Sequence, residues 1–278
     1  MKQFRGKVAA ITGAGSGIGQ ALALELAKAG CDLALSDVNQ VGLQDTVRQV
    51  SASGVRVHSQ ALDVASRDAV YAWADAVVAA LGKVNLIFNN AGVALTETIE
   101  SMSYSDFEWL MDINFWGVVY GTKAFLQYLK QSGDGHVVNV SSVFGIVGVP
   151  TQSAYNAAKF AVRGFTESLR EEMAIEGYPV KVTCVHPGGI KTNIVRSGRM
   201  GGDVGKYGPS SQQGLVRAFD AAARTTPAEA AQTILAGVRK NKPRVLIGLD
   251  AHVIDSVQRL LPTGYQDLLI WGTKRNRR

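Results

Sequence analysis

Seven short apolar runs punctuate the chain, with longer stretches of helical spacing between them. The runs are KVAAIT (7–12), DLALSD (32–37), VRVHSQAL (55–62), VNLIFN (84–89), HVVNVS (136–141), VKVTCV (180–185) and RVLIG (244–248). Most are rich in Val, Ile and Leu without strict alternation, the pattern of strands covered on both faces. Helical spacing occupies 18–29, 41–53, 67–81, 104–131, 153–176 and 227–240. Strands that alternate with helices pair in parallel through right-handed crossovers. The expected fold class is therefore α/β, a doubly wound seven-stranded parallel sheet with helices on both faces. No internal repeat and no Pro-, Gly- or Ser-rich linker divides the chain, so residues 1–278 are expected to form a single domain. Two segments stand apart. Within a loop of about 193–226, the stretch RSGRMGGDVGKYGPSSQQG (196–214) is glycine-rich and aperiodic, which predicts a mobile loop. About 249–278 forms an extension beyond the last strand.

Composition narrows the functional class. Of 278 residues, 46% are hydrophobic, enough for a full core. The formal net charge is +6, but Lys274, Arg275, Arg277 and Arg278 supply four of those charges within the last five residues. The rest of the chain is nearly neutral, which argues against a nucleic-acid partner, and the basic end reads as a solvated terminus. Cys31 and Cys184 offer neither a disulfide framework nor a thiolate metal pattern, as in a reducing compartment. His58, His136, His186 and His252 lack metal-ligand spacing, so no metal is expected. The start, MKQFRGKVAAITG, lacks the apolar core of a signal peptide, and no run is long enough to span a bilayer. The expected location is cytoplasmic, without a membrane partner.

After the first run comes TGAGSGIGQALALELAKAG, in which Gly13, Gly15, Gly17 and Gly19 crowd a turn leading into an apolar helix. Glycine permits tight turning and close approach of backbone to a ligand. The following helix N-terminus presents free N–H groups and a positive dipole end, so the segment suits a pyrophosphate. The spacing is GxxxGxG, since Gln20 stands where the commoner GxGxxG has its last glycine. The second run ends in Ser36–Asp37. A carboxylate at that strand tip accepts hydrogen bonds from an adenosine ribose diol and repels a 2′-phosphate. No Arg or Lys immediately follows Asp37, and Ser16 occupies a loop position open to a phosphate-binding base. These features favour NAD(H) over NADP(H).

An ordered set of further motifs completes the pattern. Asp63–Val64 follows the third strand, NNAG (89–92) the fourth, Asn114 lies in the next helix, and a serine pair follows the fifth strand. YxxxK (Tyr155, Lys159) and PGxxxT (Pro187, Gly188, Thr192) come after them. In this the chain resembles the short-chain dehydrogenase/reductase family, continuously over about 5–195 and again over 227–248. The resemblance implies a Rossmann-like fold and a nicotinamide dinucleotide cofactor. It implies that Gly13, Ser16, Gly17, Ile18 and Gly19 cradle the pyrophosphate and that Asp63 and Val64 border the adenine. Asn90, Ala91 and Gly92 would line the cofactor's middle, and Pro187, Gly188, Ile190 and Thr192 its nicotinamide end. The serine matching the family spacing is Ser142, not Ser141.

Hydride transfer to or from a carbonyl carbon leaves charge on its oxygen, which needs a proton donor or acceptor. A free tyrosine titrates near pH 10. A neighbouring cation lowers that value, and Tyr155 and Lys159 share one helical face at i and i+4. The pair is thus expected to act as an activated acid/base. By resemblance, Lys159 also holds the nicotinamide ribose, Ser142 steadies the substrate oxygen, and Asn114 pins a water that relays protons. Structural alternatives exist for each: a core tyrosine, a solvated lysine, a helix-capping serine and an asparagine bracketing backbone.

The uncharged stretch Val143–Val149, with Phe144 and Val149, walls the substrate side by resemblance. Met200, Tyr207, Leu215 and Phe219 are expected to close over it. Such a pocket suits a hydrophobic ketone or secondary alcohol. Reduction of a carrier-bound 3-oxoacyl group, steroid or polyol oxidation, and a non-catalytic dinucleotide sensor are the competing readings. The resemblance further implies a homodimer or homotetramer built on 104–131 and 153–176.

Overall fold

The computed structural model describes residues 1–202 and 204–275. Its main sheet has seven parallel strands: β1 (Val8–Thr12), β2 (Asp32–Asp37), β3 (Val57–Ala61), β4 (Leu86–Asn89), β6 (Gly135–Val140), β7 (Val180–Pro187) and β9 (Arg244–Ile247). Their spatial order is β3-β2-β1-β4-β6-β7-β9. Successive β1 residues face opposite ways, and both faces are apolar. Ala9 and Ile11 pack with α1 (Gly17–Lys28), α2 (Gln40–Ser51) and α8 (Pro227–Arg239). Val8 and Ala10 pack with α3 (Arg67–Leu81), α5 (Gly117–Gln131) and α6 (Ser153–Ile175). Double coverage is why the strands lack a polar face. The chain winds from β1 through β2 to β3, then crosses back to β4 on the other side of β1. Connections leave in opposite directions there, so a crevice opens at the carboxyl ends of β1 and β4, where ligands bind on such sheets.

One feature departs from the sequence-based expectation, and two segments gain elements that the sequence pattern did not assign. The stretch 104–131 is not one uniform helix. It comprises α4 (Tyr104–Met111), a π-helical turn over Asp112–Trp116, and α5. The 193–226 segment contains regular elements. A short strand β8 (Arg199–Met200) pairs in parallel with β5 (Leu95–Thr96), and α7 (Gln212–Ala222) follows, capped by Ser211 Oγ on the Gly214 N–H. The extension forms α9 (Leu249–Leu260) and α10 (Tyr265–Arg275). Among the described residues no helix is long and apolar enough to cross a membrane.

Candidate active site

The crevice holds a cavity of about 980 Å³. At its phosphate end, Gly13 (φ +65°) and Gly17 (φ +56°) take left-handed conformations that favour glycine. Helix α1 begins at Ser16 without a side-chain cap, so its first N–H groups have no side-chain acceptor and face an anion-binding position. Thr12 and Asn90 hold this turn to the tip of β4. Thr12 Oγ1 accepts the N–H groups of Asn90 (3.0 Å) and Ala91 (3.1 Å), and Asn90 Nδ2 donates to the carbonyls of Thr12 (3.0 Å) and Gly13 (3.2 Å). Gly19 lies behind the cavity wall, in the first turn of α1, where a Cβ would collide with the Gly13 carbonyl. Its geometric demand is close packing within the turn.

Asp37 lines the cavity and orders its rim. Its Oδ2 accepts the Gly15 N–H and its Oδ1 the Asn39 N–H, both at 2.8 Å. Each carboxylate oxygen retains acceptor capacity for a hydroxyl. The wall beyond it is Val38 and Asn39, with Leu62, Asp63 and Val64 opposite. Asp63 Oδ1 accepts the Ala65 N–H at 2.9 Å, which orders that turn. Asn90, Ala91 and Gly92 line the middle, and Pro187, Gly188, Ile190 and Thr192 the far side. These groups fit a dinucleotide: uncapped N–H groups for a pyrophosphate, glycine where bulk is excluded, and a carboxylate at the tip of β2.

Ser142, Tyr155 and Lys159 meet at the inner end. Helix α6 carries Tyr155 and Lys159 one turn apart, and the turn following β6 carries Ser142. Ser142 Oγ accepts the Phe144 N–H at 3.1 Å, which leaves its own O–H to donate, and the hydroxyl lies near enough to the Tyr155 phenol to oppose the rise in its pKa. Lys159 is buried, 3% exposed, and its Nζ donates to the Val140 carbonyl at 3.0 Å and lies 5.5 Å from the Tyr155 ring centroid. Here the electrostatics differ from the expectation. Burial pushes the Tyr155 phenol up to about 12, against a lowering contribution from Ser142. Burial also pushes Lys159 down, to about 8. Loss of solvent dominates at the phenol, and the ammonium, itself desolvated, donates to the Val140 carbonyl.

Asn114 is fully buried and does not line the cavity. Within the π-helical turn its Oδ1 accepts the Val93 N–H (2.8 Å) and its Nδ2 donates to the Val93 carbonyl (2.9 Å). This is the backbone-bracketing geometry, and it anchors the segment after Gly92. A Cβ on Gly92 would stand 3.1 Å from Asn114 Oδ1 and 3.6 Å from Lys159 Nζ, so the asparagine adjoins the lysine.

On the substrate side Phe144 sits edge-on to Tyr155, centroids 6.0 Å apart, and Val149 lines the cavity. Tyr207, Leu215 and Phe219 line it too. Met200 does not: its backbone pairs with Thr96 in the β5–β8 bridge, which holds it outside the cavity lining. Sequence reasoning missed Asn156, whose amide clamps the apolar wall. Its Nδ2 donates to the carbonyls of Phe144 (2.7 Å) and Val147 (2.8 Å), and its Oδ1 accepts the Val149 N–H (3.0 Å). The available signal was an asparagine on a largely apolar helical face. It also missed Asp250, a cavity-lining residue from α9 whose Oδ2 accepts the Gly189 N–H at 2.6 Å. No local signal in the extension pointed there. No cluster of metal-ligating side chains occurs among the described residues.

The comparisons with known proteins agree with this geometry. The pattern of the short chain dehydrogenase family matches residues 7–201. SadH of Mycobacterium tuberculosis, assigned to the oxidoreductases, is 52% identical over 273 residues, covering 98% of this chain and 97% of that protein. Estradiol 17-beta-dehydrogenase 11 of Homo sapiens is 30% identical over 269 residues, covering 96% of this chain and 83% of that protein. The crystal structure of a short chain dehydrogenase/reductase from Burkholderia phymatum in complex with NAD aligns with a TM-score of 0.84 at 29% identity, covering 98% of this chain and 97% of that one. With its parallel seven-stranded sheet, its glycine turn and its YxxxK helix, the chain belongs to the short-chain dehydrogenase/reductase family and is an oxidoreductase with a Rossmann-like α/β fold.

Proposed function

We propose that the protein interconverts a hydrophobic, bulky secondary alcohol and the corresponding ketone, with NAD(H) as the hydride carrier. The observation that carries this reading is the meeting of Ser142, Tyr155 and Lys159 at the inner end of a cavity whose substrate side is lined by Phe144, Val149, Leu215 and Phe219. A bound nicotinamide dinucleotide supplies the acceptor or donor of the hydride. Gly13, Ser16, Gly17, Ile18, Asp37, Asp63, Val64, Asn90, Ala91, Gly92, Pro187, Gly188, Ile190 and Thr192 hold it, with Gly19 packing the turn behind. In oxidation Tyr155 Oη accepts the hydroxyl proton while the carbinol carbon gives up its hydride; in reduction Tyr155 returns a proton to the carbonyl oxygen. Ser142 donates a hydrogen bond to the same oxygen and stabilises its developing charge. Lys159 is placed to hold a ribose hydroxyl and to exchange protons with the phenol.

Asp37, with no cation in the two residues after it, supports NAD(H), as does the NAD complex of the Burkholderia phymatum relative. We read 1–278 as a single catalytic domain, 193–226 as the segment closing over the substrate, and 249–278 as an extension bracing the cofactor side through Asp250. Trp116, Phe160 and Ile175, exposed on the helices over 104–131 and 153–175, support a homodimer or homotetramer. A steroid substrate is the second reading, favoured by the similarity to estradiol 17-beta-dehydrogenase 11. The test follows nicotinamide absorbance with NADH and NADPH against aromatic ketones, aliphatic ketones, diketones, a ketosteroid and an acyl thioester. Turnover of bulky ketones with NADH, abolished by Tyr155→Phe, is the expected result. Turnover only of the thioester, or undiminished rates in the variant, would refute the reading.

A further inference from the structure

His186 is a fully buried imidazole that the proposed chemistry does not use. It lies in β7, opposite Leu246 of β9 and immediately before Pro187. Its Nδ1 is 2.8 Å from the Ser142 carbonyl oxygen. A carbonyl only accepts, so Nδ1 carries the hydrogen. Nε2 is buried without a partner among the described residues. Burial pushes the ring's pKa down to about 4, against a raising contribution from the Ser142 contact, so the ring is neutral near pH 7. A neutral, buried histidine with one satisfied nitrogen is an expensive way to fill space, because an unpaired buried polar atom carries a desolvation penalty. The satisfied nitrogen is therefore informative.

Ser142 is held through both its hydroxyl and its carbonyl oxygen. Its Oγ accepts the Phe144 N–H, and its carbonyl accepts both the Gly145 N–H at 2.9 Å and the His186 ring. The first two bonds lie within its own turn. His186 reaches it from the adjacent strand, and the Ser141 N–H joins the Val185 carbonyl of that strand at 2.8 Å. We propose that His186 is a positioning residue for Ser142: its Nδ1–H fixes the Ser142 turn to the end of β7 and so aims the hydroxyl at Tyr155 and the substrate oxygen. This inference rests on the role proposed above for Ser142.

The test compares His186→Leu, His186→Phe, His186→Asn and Ser142→Ala, and adds the double variant Ser142→Ala/His186→Leu, all in the full chain. Leucine and phenylalanine remove the donor, whereas the asparagine amide replaces Nδ1–H at a similar distance from the backbone. The readouts are kcat with the best ketone of the panel, the NADH dissociation constant by fluorescence, and the melting temperature. A misaimed donor should cost about tenfold in kcat, less than removing the donor, which costs roughly 10²-fold. The expected result is a kcat about tenfold lower in His186→Leu, NADH affinity within about twofold of the parent, and recovery of most of kcat in His186→Asn. Adding His186→Leu to Ser142→Ala should produce no further loss, since the hydroxyl to be aimed is gone. If His186→Leu does not fold, His186→Phe carries the same comparison. Equal losses in the Asn and donor-less variants, or losses that multiply in the double variant, would show a packing role and overturn the proposal. Normal kcat in the donor-less variants beside an impaired Ser142→Ala overturns it alone. Normal kcat in Ser142→Ala overturns it together with the chemistry assigned to Ser142.

Discussion

Replacing Lys159 by methionine should make the protein more stable while abolishing turnover. Lys159 is 3% exposed, and among the described residues its ammonium donates one hydrogen bond, to the Val140 carbonyl. Burial lowers its pKa from 10.5 to about 8, which at about 1.4 kcal/mol per tenfold corresponds to roughly 3 kcal/mol of destabilisation while the group is charged. Methionine has a similar reach and no charge. It forfeits the bond to Val140, worth about 1 kcal/mol, so the net gain is about 2 kcal/mol. At about 2.1 cal/mol/K of unfolding entropy per residue, a chain of this length should melt roughly 3 °C higher. The pH dependence gives the sharper check. Below pH 8 the lysine is protonated in both folded and unfolded states, and the penalty is fully present. Between about 8 and 10.5 the folded protein holds the neutral form while the unfolded chain still binds the proton, so parental stability rises with pH. The advantage of Lys159→Met over the parent, measured by calorimetry from pH 6.5 to 10, should therefore be largest below pH 8 and shrink towards pH 10. A variant that melts lower than the parent at pH 7, or a gap independent of pH, would refute the claim that a functional cation is held at the expense of stability.

Other perturbations test separate parts of the site. The Tyr155 phenol, raised to about 12, must lose its proton to serve as base, so kcat/KM for alcohol oxidation should climb from pH 6 to 10 while ketone reduction stays flat in Tyr155 protonation; a flat oxidation profile would contradict it. Asp37→Asn removes the charge at the tip of β2, and the preference for NADH over NADPH, read from fluorescence titrations, should fall by about tenfold or more; an unchanged ratio would remove Asp37 from cofactor choice. Asn114→Ala deletes both bonds to Val93 and should cost about 2 kcal/mol in urea unfolding, with faster amide exchange at Val93. Gly121→Ala would drive a Cβ into Asn89 Oδ1, whose amide is bonded to Asn139 and Thr122, and should destabilise by about 1–3 kcal/mol; a neutral result would mean that this buried amide moves freely.

Much of the site could be read from the linear chain because its chemistry is local. A glycine turn between strand and helix, an acid at a strand tip and a tyrosine four residues before a lysine are short patterns, and short-range geometry places them. The strand runs were legible for a related reason: burial on both faces leaves a continuous apolar signature, and β2 emerged at the same residues, 32–37. Helix 104–131 misled because nothing in its sequence announces a π-helical turn. Its extra residue per turn accompanies the bonds of Asn114 to Val93, a partner 21 residues away. The strand β8 was not legible beside glycines 201, 202 and 205, because its pairing partner β5 lies about a hundred residues earlier.

What the sequence by itself determined, then, was the alternation that forms the parallel sheet, the family and the candidates proposed as reacting groups, since these depend on residue type and near-neighbour spacing. Only the tertiary structure decided that Met200 stays outside the cavity lining, that Asp250 of the extension clasps Gly189, and that His186 reaches the Ser142 carbonyl. It also decided the direction of the Tyr155 and Lys159 shifts, because desolvation depends on every element packed around a group. The two side chains share a helical face by spacing alone, but the free energy of charging them is set by the whole fold around them.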